Sequence, residues 1–93
     1  MINSYLTYLA QTKGLSAQTL KSYRNNLSQL QDWLQAHGID LLTANSDLIQ
    51  NYINYLNQDG KSTSTIKQSA STIRGFFRWL KHRGFSVDDR IRY

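Results

Sequence analysis

Residues 62–84 read STSTIKQSASTIRGFFRWLKHRG, and the spacing of apolar residues in this stretch decides the fold class. The apolar positions recur every three or four residues, which places them in one stripe along a helix. That stripe consists of Ile66, Ala70, Ile73, Phe77 and Leu80. Ser62 or Thr63 can cap the first turn, and Gly84 can end the last one in the left-handed conformation. The stretch therefore predicts a helix over about residues 63–83.

The same start and stop signals occur three more times along the chain. Single glycines follow three further helical apolar patterns, at Gly14, Gly38 and Gly60. Ser16 is a suitable cap for one helix start, and Asn45 or Ser46 for another. The predicted helices span about residues 2–12, 17–36 and 46–58. The absence of proline leaves these helices unbroken, and no strand competes, because the sequence has no clean alternation of apolar and polar residues. We predict an all-α fold, a compact bundle of four helices with short connections.

The length of 93 residues allows one domain and is too short for two. We expect the bundle to occupy residues 1–85, and residues 86–93 to be a linker or a frayed end because they show no periodicity. The sequence has no cysteine, and its 40% apolar content suffices for a core without disulfides or metals. It lacks both an apolar run of roughly 18 residues and a signal-peptide pattern. We therefore expect a cytoplasmic, monomeric domain that does not enter the membrane.

Positive charge is concentrated in the last third of the chain. Eleven Lys and Arg oppose six Asp overall, which gives a net charge of +5 and a pI near 9.8. Residues 1–59 hold three basic and four acidic residues, a net of −1, whereas residues 60–93 hold eight and two, a net of +6. Such a basic segment is typical of a surface that binds a polyanion, either nucleic acid or an anionic membrane surface.

A stripe of polar and basic residues runs along the helix predicted over 63–83. It consists of Lys67, Ser71, Arg74, Arg78 and Lys81. The stripe lies one residue, or about 100°, from the apolar stripe, so it predicts a binding edge beside the buried face. Hydroxyl residues and the positive dipole end at the start of this helix are suited to a phosphate group. The second predicted helix offers a smaller polar face that includes Lys21 and Arg24.

No catalytic set is visible in the sequence. There is no Glu, the Asp residues are scattered apart from one adjacent pair, and the glycines do not form a phosphate-binding loop. His37 and His82 each lie near a predicted helix end, where they can bond to the last carbonyls. We expect no metal and no cofactor. Gly75 inside a helix predicts a close helix crossing, and we assign the aromatic residues around it to the core. The predicted core comprises Leu20, Tyr23, Leu27, Ile53, Ile73, Phe76, Phe77, Trp79 and Leu80.

Short motifs follow one another in a fixed order along the chain. The first are Tyr5-Leu6-x-x-Leu9, Lys13-Gly14-Leu15 and Ser16-x-x-Thr19-Leu20-x-x-Tyr23-Arg24-x-x-Leu27. The later ones are Thr43-Ala44-Asn45-Ser46-Asp47-Leu48-Ile49, Ser62-x-x-Thr65-Ile66-Lys67 and Ile73-Arg74-x-Phe76-Phe77-x-Trp79-Leu80. Over about residues 2–88 this set resembles the N-terminal core-binding domain of the tyrosine recombinases, which include phage integrases and Xer-type site-specific recombinases.

The resemblance implies a SAM-like four-helix bundle that forms half of a clamp around double-stranded DNA. Carried over by position, the implied contacts lie on the second and fourth helices. On the second helix they are Ser16, Thr19, Lys21 and Arg24. On the fourth they are Lys61, Ser62, Ser64, Lys67, Ser71 and Arg74.

The resemblance also implies that the chemistry resides in another domain. In this family a separate catalytic domain supplies the tyrosine nucleophile, so we expect this chain alone not to be an enzyme, and Tyr93 not to be that nucleophile. The parent recombinase is expected to assemble on DNA as an oligomer. One departure from the family pattern is the absence of Asn-Pro after the fourth helix. The alternative interpretation is a helical protein–protein interaction domain whose basic face binds an acidic partner. A helix-turn-helix regulator fits less well, because the connections at 38–45 and 59–62 do not supply the required helix pair.

Overall fold

The computed structural model describes residues 1–88 and residue 91, and this part of the chain contains four α-helices. Their bounds are α1 Ile2–Thr12, α2 Ala17–Ala36, α3 Ser46–Gln58 and α4 Thr63–His82. A short 3₁₀ helix, Leu41–Thr43, lies between α2 and α3, and no described residue is in a strand. The predicted all-α four-helix fold is confirmed. None of the described helices combines the length and apolarity needed to cross a membrane.

The helix ends use the capping residues that the sequence predicts. The side chains of Ser16, Asn45 and Ser62 accept hydrogen bonds from the backbone N–H three residues further on, at 3.2, 2.9 and 3.2 Å. At the end of α2, Gly38 has a φ of 72°, and Ile39 N–H donates back to the Leu34 carbonyl at 2.9 Å. Local chemistry thus sets where these helices begin and end.

The helices pack in a chain of pairs. α1 packs against α2, α2 against α4, and α3 against α4. The fully buried side chains come from α2, α3 and α4 and are Leu27, Leu30, Leu34, Tyr52, Ile73, Phe76, Phe77 and Leu80. At roughly 25 cal/mol per Å² of apolar surface, burial of these side chains is the main stabilising term of the fold.

The predicted apolar stripe of α4 is displaced from the buried face that the structure shows. Ile66 and Ala70 are only half-buried, whereas Ser69 and Thr72 are buried along with Phe76 and Trp79. The buried side therefore lies roughly 160° around the helix from Lys67, Arg74, Arg78 and Lys81, instead of the predicted 100° or so. The basic residues form the exposed back of α4 and not an edge of its buried face.

Three further residues of the predicted core are less buried than expected. Leu20, Tyr23 and Ile53 are half-buried residues packed against the core, and not part of its centre. Each residue lies on the apolar face of its helix but near the edge of that face, where the neighbouring helix does not fully cover it. Periodicity gives the direction of the apolar face, whereas the extent of its cover depends on the packing of other helices.

Gly75 marks the close approach that the sequence predicts. A Cβ atom at this position would lie 2.8 Å from the hydroxyl oxygen of Tyr5. Tyr5 reaches over α4 and packs between aromatic rings, with its ring centroid 5.5 Å from that of Phe76 and 5.3 Å from that of Trp79. Glycine at position 75 thus permits α1 to be held against α4 by an aromatic cluster.

The described part of the C-terminal tail lies against the bundle. The backbone N–H of Ser46 at the start of α3 donates to a carboxylate oxygen of Asp88 at 2.8 Å, where a negative charge favours the helix dipole. Val87 is half-buried against the core, and Ile91 is 3% exposed. These residues make contacts that a linker or frayed end over 86–93 does not predict, and the domain boundary near residue 85 stays a prediction. Residues 89, 90, 92 and 93, including Tyr93, lie outside the described residues.

One buried polar atom of the core is unsatisfied. Tyr52 is 1% exposed, and its hydroxyl has no hydrogen-bond partner within the described part of the chain. Burial, with a smaller contribution from Tyr55, raises the pKa of Tyr52 to about 12. The ring also packs against Trp33, with centroids 5.5 Å apart. Apolar contact, and not hydrogen bonding, therefore holds Tyr52 in place.

Candidate nucleic-acid interface

The exposed back of α4 is the most strongly charged helical surface in the described structure. Lys67, Ser71, Arg74 and Arg78 are all exposed on it, as is Lys81 one turn further on. Residues 60–84 contain no acidic residue, and Asp47 of α3 lines a hollow together with Arg74. A continuous row of cations on a solvent-facing side creates a positive potential that attracts a polyanion.

The first turns of α2 and α4 carry the same cap. In α2, Ser16 Oγ accepts from Thr19 N–H at 3.2 Å and donates to Thr19 Oγ1 at 3.0 Å. In α4, Ser62 makes the same two bonds to Thr65 with the same distances. The predicted contact residues Ser16, Thr19 and Ser62 thus have a structural role first. Their oxygens can still accept hydrogen bonds, and the outward amides of the first turn remain a favourable place for a phosphate.

The basic residues predicted on α2 are directed partly toward α1. The guanidinium of Arg24 donates to the side-chain oxygen of Asn3. Lys21 and Arg24 together line a hollow between α1 and α2, which shares no residue with the hollows along α4. The structure therefore does not join these two cations to Ser71 and Arg74 in one pocket.

The remaining predicted contacts lie at or near the start of α4. Lys61 forms an ion pair with Asp59 at 3.8 Å, and both side chains are about half exposed. Such an exposed pair contributes little, at most about 1 kcal/mol, so it does not prevent Lys61 from binding an anion. Ser64 and Lys67 are exposed on the first turns of the helix.

A buried polar network connects α2 to α4, and the sequence analysis missed it. Asn26 Nδ2 donates to Thr72 Oγ1 at 3.3 Å, and Ser69 Oγ donates to Asn26 Oδ1 at 3.4 Å. Thr72 also donates to the Gln68 carbonyl at 2.9 Å, and both Ser69 and Thr72 are 3% exposed. The sequence feature that could have indicated this network is the presence of polar residues at core positions of α4. Because the network has specific partners, it fixes the register of α2 on α4.

A groove runs along the seam between α1 and α4. It consists of two adjoining hollows of about 370 and 390 Å³. Both are lined by Tyr5, Leu9, Lys13, Gly75 and Arg78, the first also by Ser71 and Arg74, and the second by Tyr8, Trp79, His82 and Arg83. Among the described residues that line it, none is acidic. The sequence analysis considered Lys13 only as part of a motif, but the fold brings it beside the basic residues of α4.

The electrostatics of this groove are visible at Tyr5. Burial, with smaller contributions from Tyr23 and Tyr8 and an opposing one from Arg78, raises the pKa of Tyr5 to about 12. The Arg78 charge is thus close enough to act on the groove floor. At the far end, the Arg83 guanidinium lies 5.4 Å from the centre of the Trp79 ring, a cation–π contact.

Of the two histidines assigned to helix ends, His37 makes the expected bond. Its Nδ1 lies 2.8 Å from the Trp33 carbonyl oxygen near the end of α2, so this nitrogen is the donor. His82 lines the α1–α4 groove. Neither histidine belongs to a group of three or more potential metal ligands among the described residues.

Comparison with known proteins identifies the family. Residues 2–84 match the family model described as the phage integrase N-terminal SAM-like domain. This chain therefore belongs to the SAM-like N-terminal domain family of the phage integrases. No solved structure shows significant similarity to it.

The curated relatives are tyrosine recombinases. The tyrosine recombinase XerD of Pseudomonas putida is 36% identical over 80 residues, which cover 86% of this chain and 27% of that protein. The tyrosine recombinase XerC of Alcanivorax borkumensis is 33% identical over 88 residues, covering 95% and 28%. The tyrosine recombinase XerD of Staphylococcus aureus is 31% identical over 90 residues, covering 96% and 30%. The chain thus spans less than a third of the length of each of these three relatives.

Proposed function

We propose that this chain is the DNA-binding module of a tyrosine site-specific recombinase and grips double-stranded DNA as half of a clamp. The observation that carries the proposal is the exposed row of cations on α4, a helix without acidic residues, in a chain that belongs to this family. Phosphate contacts from such a row hold the duplex without reading its sequence. Strand cleavage and rejoining are assigned to a catalytic domain that is not in this chain. The isolated domain is proposed to be a monomer, and the parent protein to assemble on DNA.

The α2–α4 network supports this proposal physically. Partly buried hydrogen bonds of Asn26 with Ser69 and Thr72 connect the middle of α2 to α4 and so fix the two helices, and with them their N-termini, relative to each other. A duplex presents phosphates at fixed spacings, so two rigidly connected helix starts lose less freedom on binding than two mobile ones. The acidic residues of the first 59 positions begin only at Asp32, which leaves the N-terminal half of α2 free of negative charge.

Salt dependence of duplex binding tests the proposal. We expect weak binding, with a Kd of about 1 μM or poorer, because half of the clamp is missing. If about three to five phosphates are neutralised, log K should fall with log salt at a slope of about −3 to −4.5. Lys67→Gln and Arg74→Gln should each make the slope about one unit less steep, since each removes one phosphate contact. Fluorescence anisotropy with a labelled duplex at several salt concentrations measures both quantities.

Two results would contradict the proposal. One is the absence of salt-dependent binding by the wild-type domain, and the other is a slope that neither substitution changes. Binding to poly-glutamate instead of DNA would favour an acidic protein partner. Asn51→Asp on the exposed side of α3 is the matched control, because it also lowers the net charge by one but lies on another helix.

A further inference from the structure

The α1–α4 groove joins the surface that the proposed function assigns to DNA. Ser71 and Arg74 line its first hollow, and Arg78 lines both hollows. From Arg78 the exposed cations diverge in two directions. One row of cations continues along the back of α4 to Lys81. The other row crosses the groove to Lys13, at the C-terminal end of α1, and then reaches Arg83.

The described residues that line the groove include several cations and no acidic residue. Its walls come from residues 1–23 and 71–83, which contain no Asp or Glu, and the first acidic residue of the chain is Asp32. The net charge of residues 1–59 does not reveal this arrangement. That sum combines α1, which has no acidic residue, with later segments that contain acidic residues. The fold places α1 against α4, so Lys13 adds to the field of Arg74 and Arg78.

The shape of the groove also fits a segment of the DNA backbone. Gly75 keeps the floor low, since a side chain there would meet the Tyr5 hydroxyl at 2.8 Å. The hollows lie within the range of about 300–1,000 Å³ that holds small ligands, so a phosphodiester with its sugar can enter. Tyr8 and Trp79 supply apolar surface at one end, and cations supply the rim.

We propose that the α1–α4 groove is a second phosphate-binding site for the same duplex, in which Lys13 and Arg78 hold the DNA backbone beyond Ser71 and Arg74. This inference rests on the proposed function. In this arrangement the DNA backbone does not follow α4 along its whole length but crosses from α4 to α1. Arg83, held over the Trp79 ring, borders the far end of this path.

Single-charge substitutions distinguish the two paths. Lys13→Gln and Arg78→Gln should each make the salt slope of duplex binding about one unit less steep and weaken binding about tenfold at 50 mM salt. Lys81→Gln removes the same charge from the α4 row outside the groove, so its effect on the slope is compared directly with that of Lys13→Gln, which we expect to be the larger. Asn51→Asp again controls for net charge. Each variant is compared by anisotropy, after circular dichroism shows that it is folded.

The two tryptophans provide an independent readout. Trp79 lies in the groove, whereas Trp33 packs with Tyr52 and Tyr55 between α2 and α3. On addition of duplex DNA, the indole N–H signal of Trp79 should shift in ¹⁵N–¹H spectra, and that of Trp33 should stay in place. The Lys13→Gln variant should reduce the Trp79 shift at equal DNA concentration.

The outcomes separate the two proposals. If Lys67→Gln and Arg74→Gln change the slope but Lys13→Gln does not, or if Lys81→Gln has the larger effect, the groove inference is overturned and the proposed function stands. If none of these four substitutions changes the slope, both are overturned. Equal shifts of the Trp33 and Trp79 signals would also contradict binding in the groove.

Discussion

Replacing Phe77 with alanine is expected to lower the free energy of unfolding by about 3–5 kcal/mol. Phe77 is 0% exposed, and its ring packs edge-on against Phe76 with centroids 5.4 Å apart. The substitution removes the whole ring and leaves a cavity that α4, held by α2 and α3, cannot close. A chain of this size has a total stability of about 5–14 kcal/mol, so the loss is a large part of it. Urea unfolding followed by circular dichroism measures the change.

Phe85→Ala is the matched control for this substitution. It removes the same side chain, but Phe85 lies just beyond α4 and is 37% exposed, so we expect a loss of less than about 1 kcal/mol. If the Phe77→Ala variant unfolded at the same urea concentration as the parent, the burial of this face of α4 would be refuted.

The second large effect is expected at Ile91, outside the predicted domain boundary. Ile91 is 3% exposed and borders a hollow between α3 and α4, with Ile53 and Ala70 among its neighbours there. Ile91→Ala should lower the free energy of unfolding by about 2–4 kcal/mol, because it removes buried methyl groups from the seam between two helices. The measurement is again the urea midpoint, compared with that of the parent chain.

Ile66→Ala serves as the comparison, since Ile66 on α4 is only half-buried and should cost less. A parent-like midpoint for the Ile91→Ala variant would show that the tail contributes nothing to stability. The domain would then end near residue 85, as the sequence analysis predicts.

Helix positions could be predicted because their signals are local. Ser16 and Ser62 cap the helices that they precede, and a glycine at positive φ follows each helix. These features depend on a few neighbouring residues and on backbone sterics, which a sequence displays directly. The predicted bounds for that reason differ from the observed ones by one residue at most.

Features that depend on tertiary packing could not be predicted from local sequence signals. The buried side of α4 includes Ser69 and Thr72, which both hydrogen-bond to Asn26 on another helix. Ile91 and Asp88 lie in an aperiodic tail, and their contacts with the α3–α4 seam and with the start of α3 depend on tertiary packing. A polar or isolated residue gives no periodic signal when its partner is distant in sequence.

The candidate site also combines local features, which the sequence predicts, with features that depend on tertiary packing. The cations of α4 share one face because they share one helix, so their spacing predicted them. Arg24 bonds to Asn3 on α1, and Lys13 faces Arg78 across a groove, and both contacts depend on where α1 packs. The sequence therefore predicted the cations that share one face of α4, but not the position of Lys13 beside them.

The central claim is that the basic surface of α4, with the start of α2, binds duplex DNA, and NMR mapping tests it most directly. Uniformly ¹⁵N-labelled domain is titrated with an unrelated duplex at low salt, and amide shifts are followed for every assigned residue. We predict saturable shifts concentrated in residues 16–25 and 61–78 and, if the groove binds as inferred, also around Lys13 and Trp79, with α3 unaffected. The absence of saturable shifts, or shifts that cluster on α3, would contradict the account.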